Sequence, residues 1–346
     1  MKKIRKSMGI AIAIFLLLAF ASCKNPSEKR GDVLPNNKGG MPTDGVAEFT
    51  VTANGSSFVM KKIPLANNAK LGSQSFAVNP IHTVIGISEF YMAETEITQE
   101  LWTAVMKNNP SWFNGDPTKT SKQPAEGELQ NKRPVESVSW YDAVNFCNEL
   151  TKTFTGTDAE CAYTITNVER KNTNYPNVIT NAQVSVDFSK KGFRLPTEAE
   201  WEWAAKGGKK DAEYPGIQKQ PNEEDKEFRK RFHEYGWTTN HPNIQNRTHE
   251  VKKLKANEYG LYDMAGNVME WCYDWWSKIE ENKQYEKDYS GVSIPEASKS
   301  IKIQKGGSYL YVISLSDVAA RSDDSIKQVP ENISRDRGFR VVCRLK

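Results

Sequence analysis

Histidine is scarce in this chain, with four in 346 residues. Three of them, His233, His241 and His249, share one stretch without metal-ligand spacing and read as exposed loop residues. No cluster of histidines is at hand for acid–base chemistry. Cysteine is sparse too, at five, and a disulfide scaffold is not needed, because nine Trp and thirteen Tyr supply ample core. A basic stripe is also missing. The net charge is +4 with both signs spread along the chain, and the Lys-rich stretches 206–210 and 219–230 read as solvated faces. Nucleic acid is therefore not an expected partner. The apolar run Met8–Ala21 has fourteen residues, short of the roughly 20 that span a bilayer as a helix.

That run has the layout of a signal peptide, with Lys2, Lys3, Arg5 and Lys6 before it. Phe20-Ala21-Ser22-Cys23 follows and resembles a bacterial lipobox, with Phe20 where Leu is usual. The resemblance implies a leader over 1–22 and lipidation of Cys23. It also implies anchoring in the bacterial envelope, expected at the surface of the outer membrane. Residues 23–45 are polar, rich in Gly, Pro, Asn and Lys, and read as a flexible tether. The folded part is expected over 46–346.

Phe49–Ala53 and Ser57–Met60 read as short strands, and His82–Met92 as another. Three helices are marked by their caps. Thr98 precedes a helix with Leu101, Trp102, Val105 and Met106 on one face. Ser139 with Asp142 precedes one carrying Ala143, Phe146, Cys147 and Leu150. Thr197 with Glu200 forms a capping box, and Gly207-Gly208 closes that helix. The cap explains Glu200, solvent exposure is the expectation for Glu198 and Glu202, and none is assigned chemistry.

Between Asn257 and Trp276, Gly260, Gly266 and Asn267 mark tight backbone, and Trp271, Trp275 and Trp276 read as buried bodies. Asp263 and Glu270 flank a loop offering the Gly266 and Val268 carbonyls, a donor set that suits a hard cation such as Ca²⁺. Salt bridges or caps explain such acids as often. The last stretch, 305–346, opens with KGGSY and closes with RGFRVVC, where Phe339, Val341 and Cys343 alternate with Arg340 and Val342 as in a strand. Its interior has no period and mixes aromatic with small residues, which suits a loop that displays side chains from a rigid frame.

RPVESVSWYDAVNFCNEL (133–150), GFRLPTEAEWEWAAKGG (192–208), NEYGLYDMAGNVMEW (257–271), KGGSY (305–309), AARS (319–322) and RGFRVV (337–342) together resemble the sulfatase-modifying-factor family. Its best-known member is the formylglycine-generating enzyme. The resemblance implies an α+β, irregular, loop-rich C-type-lectin-like fold with short strands and few helices. It implies structural Ca²⁺ at Asp263, Gly266, Val268 and Glu270, with a second calcium site over 240–250 doubtful because that region is shorter here. The enzyme's copper-holding cysteine pair falls at about Tyr311 and Ser316 in this chain. Neither can replace a thiolate toward Cu(I), so no copper and no formylglycine-generating activity are expected. A superfamily enzyme with an altered site is the alternative. Cys147 matches a family position that is disulfide-bonded, and Cys343 lies two residues beyond its partner's place, so the resemblance implies a Cys147–Cys343 bridge.

The C-terminus further resembles the variable region of diversity-generating retroelement proteins, ligand binders with this lectin-like fold, among them a surface lipoprotein. In such systems adenines in template Asn codons are randomised, which cannot yield Lys, Glu, Gln, Met or Trp. Residues 306–326 contain none of these, whereas Lys327, Gln328 and Glu331 would be template-fixed. The resemblance implies variable, ligand-facing positions at Leu310, Tyr311, Val312, Ser314, Asp317, Ala320, Ser322, Asp323, Asp324, Asn332, Ser334 and Asp336. The expected partner is a protein or glycan outside the cell, bound without catalysis.

Overall fold

The computed structural model describes residues 41, 45–172, 177–293, 300–321 and 329–345. Cys23, the leader and most of the tether lie outside the described residues, as do Ser322, Asp323 and Asp324. Among the described residues no helix is long and apolar enough to cross a membrane.

The chain opens with β1 (Glu48–Ala53) and β2 (Ser56–Ile63), an antiparallel hairpin, then β3 (Ala66–Leu71), β4 (His82–Ile87) and β5 (Phe90–Ala93). The single strand expected over 82–92 is two strands in different sheets. Ser88 breaks it, because its N–H and hydroxyl both donate to the Asp288 carboxylate, at 2.7 and 2.8 Å. The three marked helices follow as α1 (Gln99–Met106), α2 (Trp140–Thr155) and α3 (Glu198–Ala205). Thr98 caps the first, and reciprocal Ser139–Asp142 and Thr197–Glu200 boxes cap the others. Trp102 of α1 stacks on Phe146 of α2 at 5.1 Å.

The hairpin β6 (Tyr163–Lys171) and β7 (Val178–Val186) stands between α2 and α3 in the sequence. The charged stretch 219–230 runs into a further helix, α4 (Asp225–Phe232), which buries only Phe228 and Phe232 at i, i+4. Two apolar positions are too few for a periodic signal. The remaining strands are β8 (Met269–Trp275), β9 (Gln284–Tyr285), β10 (Lys302–Lys305), β11 (Arg337–Gly338) and β12 (Val342–Cys343).

The order β1-β2-β5-β12 makes one sheet, β10-β8-β11 a second and β3-β4-β9 a third. Within the first sheet β5 and β12 are buried on both faces, whereas β1 keeps one face exposed. Tyr91 and Ala93 of β5 pack into a core with α1 and α2, while Phe90 and Met92 pack into a second core with α3, β3 and β4. Period two along a strand sends alternate residues to opposite sides. Accordingly Cys343 joins the first core and Val342 the second. Arg340, which alternates with Phe339 and Val341, is fully buried as well. The C-terminal strand closes the edge of its sheet, buried between the two cores, and the segment before it is held at both ends.

Candidate binding surface

At its start the C-terminal segment leaves β10, which pairs with β8. Gly306 and Gly307 turn it with φ of +90° and +68°. At Gly307 a Cβ would lie 2.5 Å from Ser316 Oγ, so the close return of the chain requires glycine there. Tyr309 then plunges inward and meets Phe113 edge-on at 5.6 Å. Leu310 to Val312 pass over the surface into a 3₁₀ turn, Ile313–Ser316. Val312 precedes the turn in extended conformation, and its carbonyl accepts from Leu315 N–H at 3.0 Å. Leu310, Val312 and Leu315 are 40, 44 and 37% exposed, an aliphatic patch on a pinned loop.

The segment dives again at Ser316. The Val318 N–H donates to Glu213 O at 2.8 Å, and Arg321 makes a bidentate pair with Glu198 at 2.7 and 2.6 Å. After the undescribed stretch, Pro330 O and Ser334 O accept from Trp140 and Ser137 N–H. The strand β11 lies parallel to β8, and Arg340 clamps Glu270 through two 2.7 Å bonds.

This path sorts the expected ligand-facing positions. Leu310, Val312 and Ser314 are exposed, and Tyr311, Asn332 and Ser334 are half-buried at the rim. Asp317, Ala320 and Asp336 are not on the surface. Asp317 accepts from Ala319 N–H at 2.7 Å, and Asp336 holds the Ser308 and Ser334 hydroxyls. These acids brace loop backbone and so are buried. Leu315, which is not among the expected positions, is exposed as well. Trp112, at the rim through its neighbour Phe113, is 36% exposed and carried none.

The Asp263–Glu270 loop runs beneath this surface. Gly266 has φ +82°, its N–H donates to Gly306 O, and an added Cβ would lie 1.9 Å from Trp237 O. Both Glu270 oxygens are engaged, Oε1 by Arg340 and Oε2 by Arg340 and Trp201 Nε1. Asp263 Oδ2 accepts from Lys252 N–H, whereas the buried Oδ1 meets no donor. Burial raises the Asp263 carboxyl to about 6, and burial with repulsion from Asp263 and Glu270 pushes Glu96 up as well. Excess buried negative charge and an orphaned carboxylate oxygen fit a hard cation. Among the described residues no three His, Cys, Asp or Glu side chains converge on a metal position.

Several side chains differ from their sequence reading. His241 and His249 are buried, not exposed, with Trp237 stacked on His249 at 3.8 Å and packed on His241 at 4.3 Å. Aromatic stacking, together with the His249 Nδ1–Glu128 contact at 2.8 Å, explains them. Glu198 and Glu202 are buried as well. Burial alone would raise Glu198, but the Arg321 and Lys305 charges hold it at about 2. Glu202 accepts from Gly72 N–H and Asn79, and Lys206, read as solvated, is buried beside it.

The Cys147–Cys343 bridge is not formed. Both are free, buried thiols in the first core. Cys343 stands two residues past the position that pairs in the family, which moves its side chain along the same face by about 6.6 Å.

The family model for the "Sulfatase-modifying factor enzyme 1-like domain" matches residues 41–345. A curated relative, "Chaperone protein LppX" of Paenibacillus barcinonensis, is 32% identical and covers 75% of this chain and 81% of its own. The formylglycine-generating enzyme of Thermomonospora curvata is 36% identical over 44% of this chain and 50% of its own, so the chain spans half of that relative's length. Among solved structures, "Treponema denticola variable protein 1" superposes with TM-score 0.71 and 39% identity, covering 87% of this chain and all of that one. PvdO of Pseudomonas aeruginosa, at 19% identity and TM-score 0.55, shares the fold.

Proposed function

The chain belongs to the sulfatase-modifying factor enzyme 1-like domain family, and on that premise we propose that it is a non-catalytic binding protein of the bacterial envelope. It would be lipid-anchored through Cys23, with the C-terminal segment meeting an extracellular ligand. The observation that carries this reading is the aliphatic patch of Leu310, Val312 and Leu315 on a loop whose ends are locked into the core. The absence of Lys, Glu, Gln, Met and Trp from 306–326 supports it, as does the similarity to a treponemal variable protein. Tyr311 and Ser316 argue against the oxidase alternative, since no cysteine lies between 273 and 342.

Sequencing the gene's 3′ end and its surroundings in several isolates tests the reading. A near-copy of the codons for 306–342 with Asn codons at Leu310, Tyr311, Val312 and Ser314, beside a reverse transcriptase gene, is expected. Differences should spare Asp317, Ala320 and Asp336. Differences scattered evenly over 46–346, with no such copy, would remove the proposal. The relative named a chaperone favours a second reading, in which the same patch holds unfolded chains. Suppression of a heat-unfolding reporter's aggregation, lost in Val312→Asp, would favour that one.

We also propose a structural Ca²⁺ at Asp263, Gly266, Val268 and Glu270, its charge offsetting the buried carboxylates. Millimolar Ca²⁺ should raise the melting temperature of EDTA-treated protein, and Asp263→Ala should abolish the rise. An unchanged melting curve for the unaltered chain would rule the ion out.

A further inference from the structure

A groove of about 500 Å³ lies where the β1–β2 turn meets α1 and the 3₁₀ turn Gln130–Lys132. Its volume falls within the roughly 300–1,000 Å³ of small-molecule sites. None of the expected ligand-facing positions lines it. Seven of its ten lining residues carry an amide or a hydroxyl, Gly55 and Ala104 carry no polar side-chain group, and the tenth is Glu100. Lys132 Nζ lies 2.7 Å from the Glu100 carboxylate, so that charge is balanced. Among the described residues no aromatic ring lines the groove. In composition it is the opposite of the aliphatic patch on the C-terminal segment.

Its floor is saturated and its rim is not. Gln99, 2% exposed, donates through Nε2 to Phe113 O and Pro134 O at 3.1 and 3.2 Å, and its Oε1 accepts from Asn109 and Gln130 at 2.9 Å each. Gln130 also donates to Phe113 O and accepts from Arg133. The rim amides are exposed, and each is anchored by the protein with one group left over. Asn54 donates through Nδ2 to Ala104 O at 2.9 Å, and Asn131 through Nδ2 to Glu100 at 2.6 Å. Among the described residues the Oδ1 of each meets no donor. Asn109 donates to Gln99 and accepts from Ser111 N–H, which leaves the second N–H of its amide free. An amide anchored in this way is already ordered, so little rotamer freedom is lost when a ligand arrives.

We propose that this groove binds a neutral oligosaccharide, with Asn54 Oδ1 and Asn131 Oδ1 accepting from sugar hydroxyls and the free Asn109 N–H donating to one. A hydroxyl donates and accepts at once, which matches a rim holding both acceptors and a donor. The balanced lining gives neither an anion nor a cation a reason to bind, and an apolar ligand would find little beyond Ala104. An extended peptide is disfavoured, because the groove has no pockets for alternate apolar side chains. The proposal stands apart from the C-terminal surface. Phe113 lies between the two, its ring against Tyr309 and its carbonyl on Gln99 and Gln130. With no ring to stack on, the expected affinity is in the millimolar range.

The test is saturation-transfer NMR on the full chain in a sugar-free detergent, with maltotriose, chitotriose and mannotriose as probes. Transfer to the ring protons of at least one of them is expected. Titration should give a Kd that Asn54→Gly and Asn109→Ala each raise about three- to tenfold, the loss of one neutral hydrogen bond. Both residues are exposed, and glycine keeps the left-handed backbone of Asn54 at φ +49°, so neither change threatens the fold. Val312→Asp should leave the Kd unchanged. Absence of transfer from all three sugars at millimolar concentration would overturn the proposal. Binding that neither amide variant weakens would do the same, and binding abolished by Val312→Asp would move the sugar to the C-terminal segment. Tetraalanine bound in place of the sugars, with the same dependence on Asn54 and Asn109, would replace the saccharide by a peptide backbone.

Discussion

Glu198, Glu200 and Glu202 alternate along α3 and have the look of surface acids, yet each is nine-tenths buried or more. The difference is made by cations from other parts of the chain. Arg194 donates to Glu200 at 2.7 and 2.6 Å and Arg344 adds a bond at 2.9 Å. Burial would raise the Glu200 carboxyl, but these charges bring it down to about 2. Glu200→Gln leaves the Arg194 charge buried beside a neutral amide, while the amide oxygen can still accept from Thr197 N–H in the α3 capping box. Breaking a buried pair in this way costs about 3–5 kcal/mol, read as a drop in urea midpoint at constant slope. A loss below about 1 kcal/mol would mean that the pair behaves like an exposed one.

At the scale of elements, the contiguous signals are the ones that were legible. Thr98, Ser139–Asp142 and Thr197–Glu200 each announce a helix, because a cap and its partner lie within four residues of one another. The helix α4 and the hairpin β6–β7 gave no such notice. The first has two buried residues, and β6 is exposed along most of its length. The glycine signals were legible for the same local reason, and Gly266 is the sharpest. An alanine there would need φ near +82° and a Cβ 1.9 Å from Trp237 O, so the loop would have to leave both Trp237 and Gly306. Gly266→Ala is expected to destabilise by several times the roughly 1 kcal/mol of an ordinary backbone penalty, seen as loss of the cooperative melting transition or a large fall in its midpoint. A variant melting within a degree or two of the parent would show the turn to be plastic.

For the molecule as a whole, buried acids of two kinds set the pH dependence. Burial raises Glu136 to about 7, and burial with repulsion from Glu198 raises Asp274 to about 7. Their folded values exceed the unfolded ones, so the stability they contribute is complete below about 4 and is lost as pH rises through 7. Glu198 and Glu200 are the reverse: their contribution is present above 4.5 and is lost as pH falls toward 2. His241, buried and held at about 4, likewise loses its contribution as pH falls from 6.5 through 4. Calorimetry in EDTA should therefore give a melting temperature that rises from pH 8 into the mildly acidic range and falls steeply below pH 4. A midpoint that climbs steadily to pH 8 would contradict the burial of Glu136 and Asp274.

What the sequence by itself determined is whatever neighbours can encode: the caps, the glycine turns, the family motifs and the span of the C-terminal segment. Tertiary structure alone decided which side chains in that segment face out, why Asp317 and Asp336 do not, and why the histidines and α3 glutamates are interior. The physical reason is separation along the chain. Arg340 and Glu270 are 70 residues apart and Arg321 and Glu198 are 123 apart, so no local pattern announces either pair. Whether a charge is a solvated face or a buried clamp depends on a partner that only folding brings within reach.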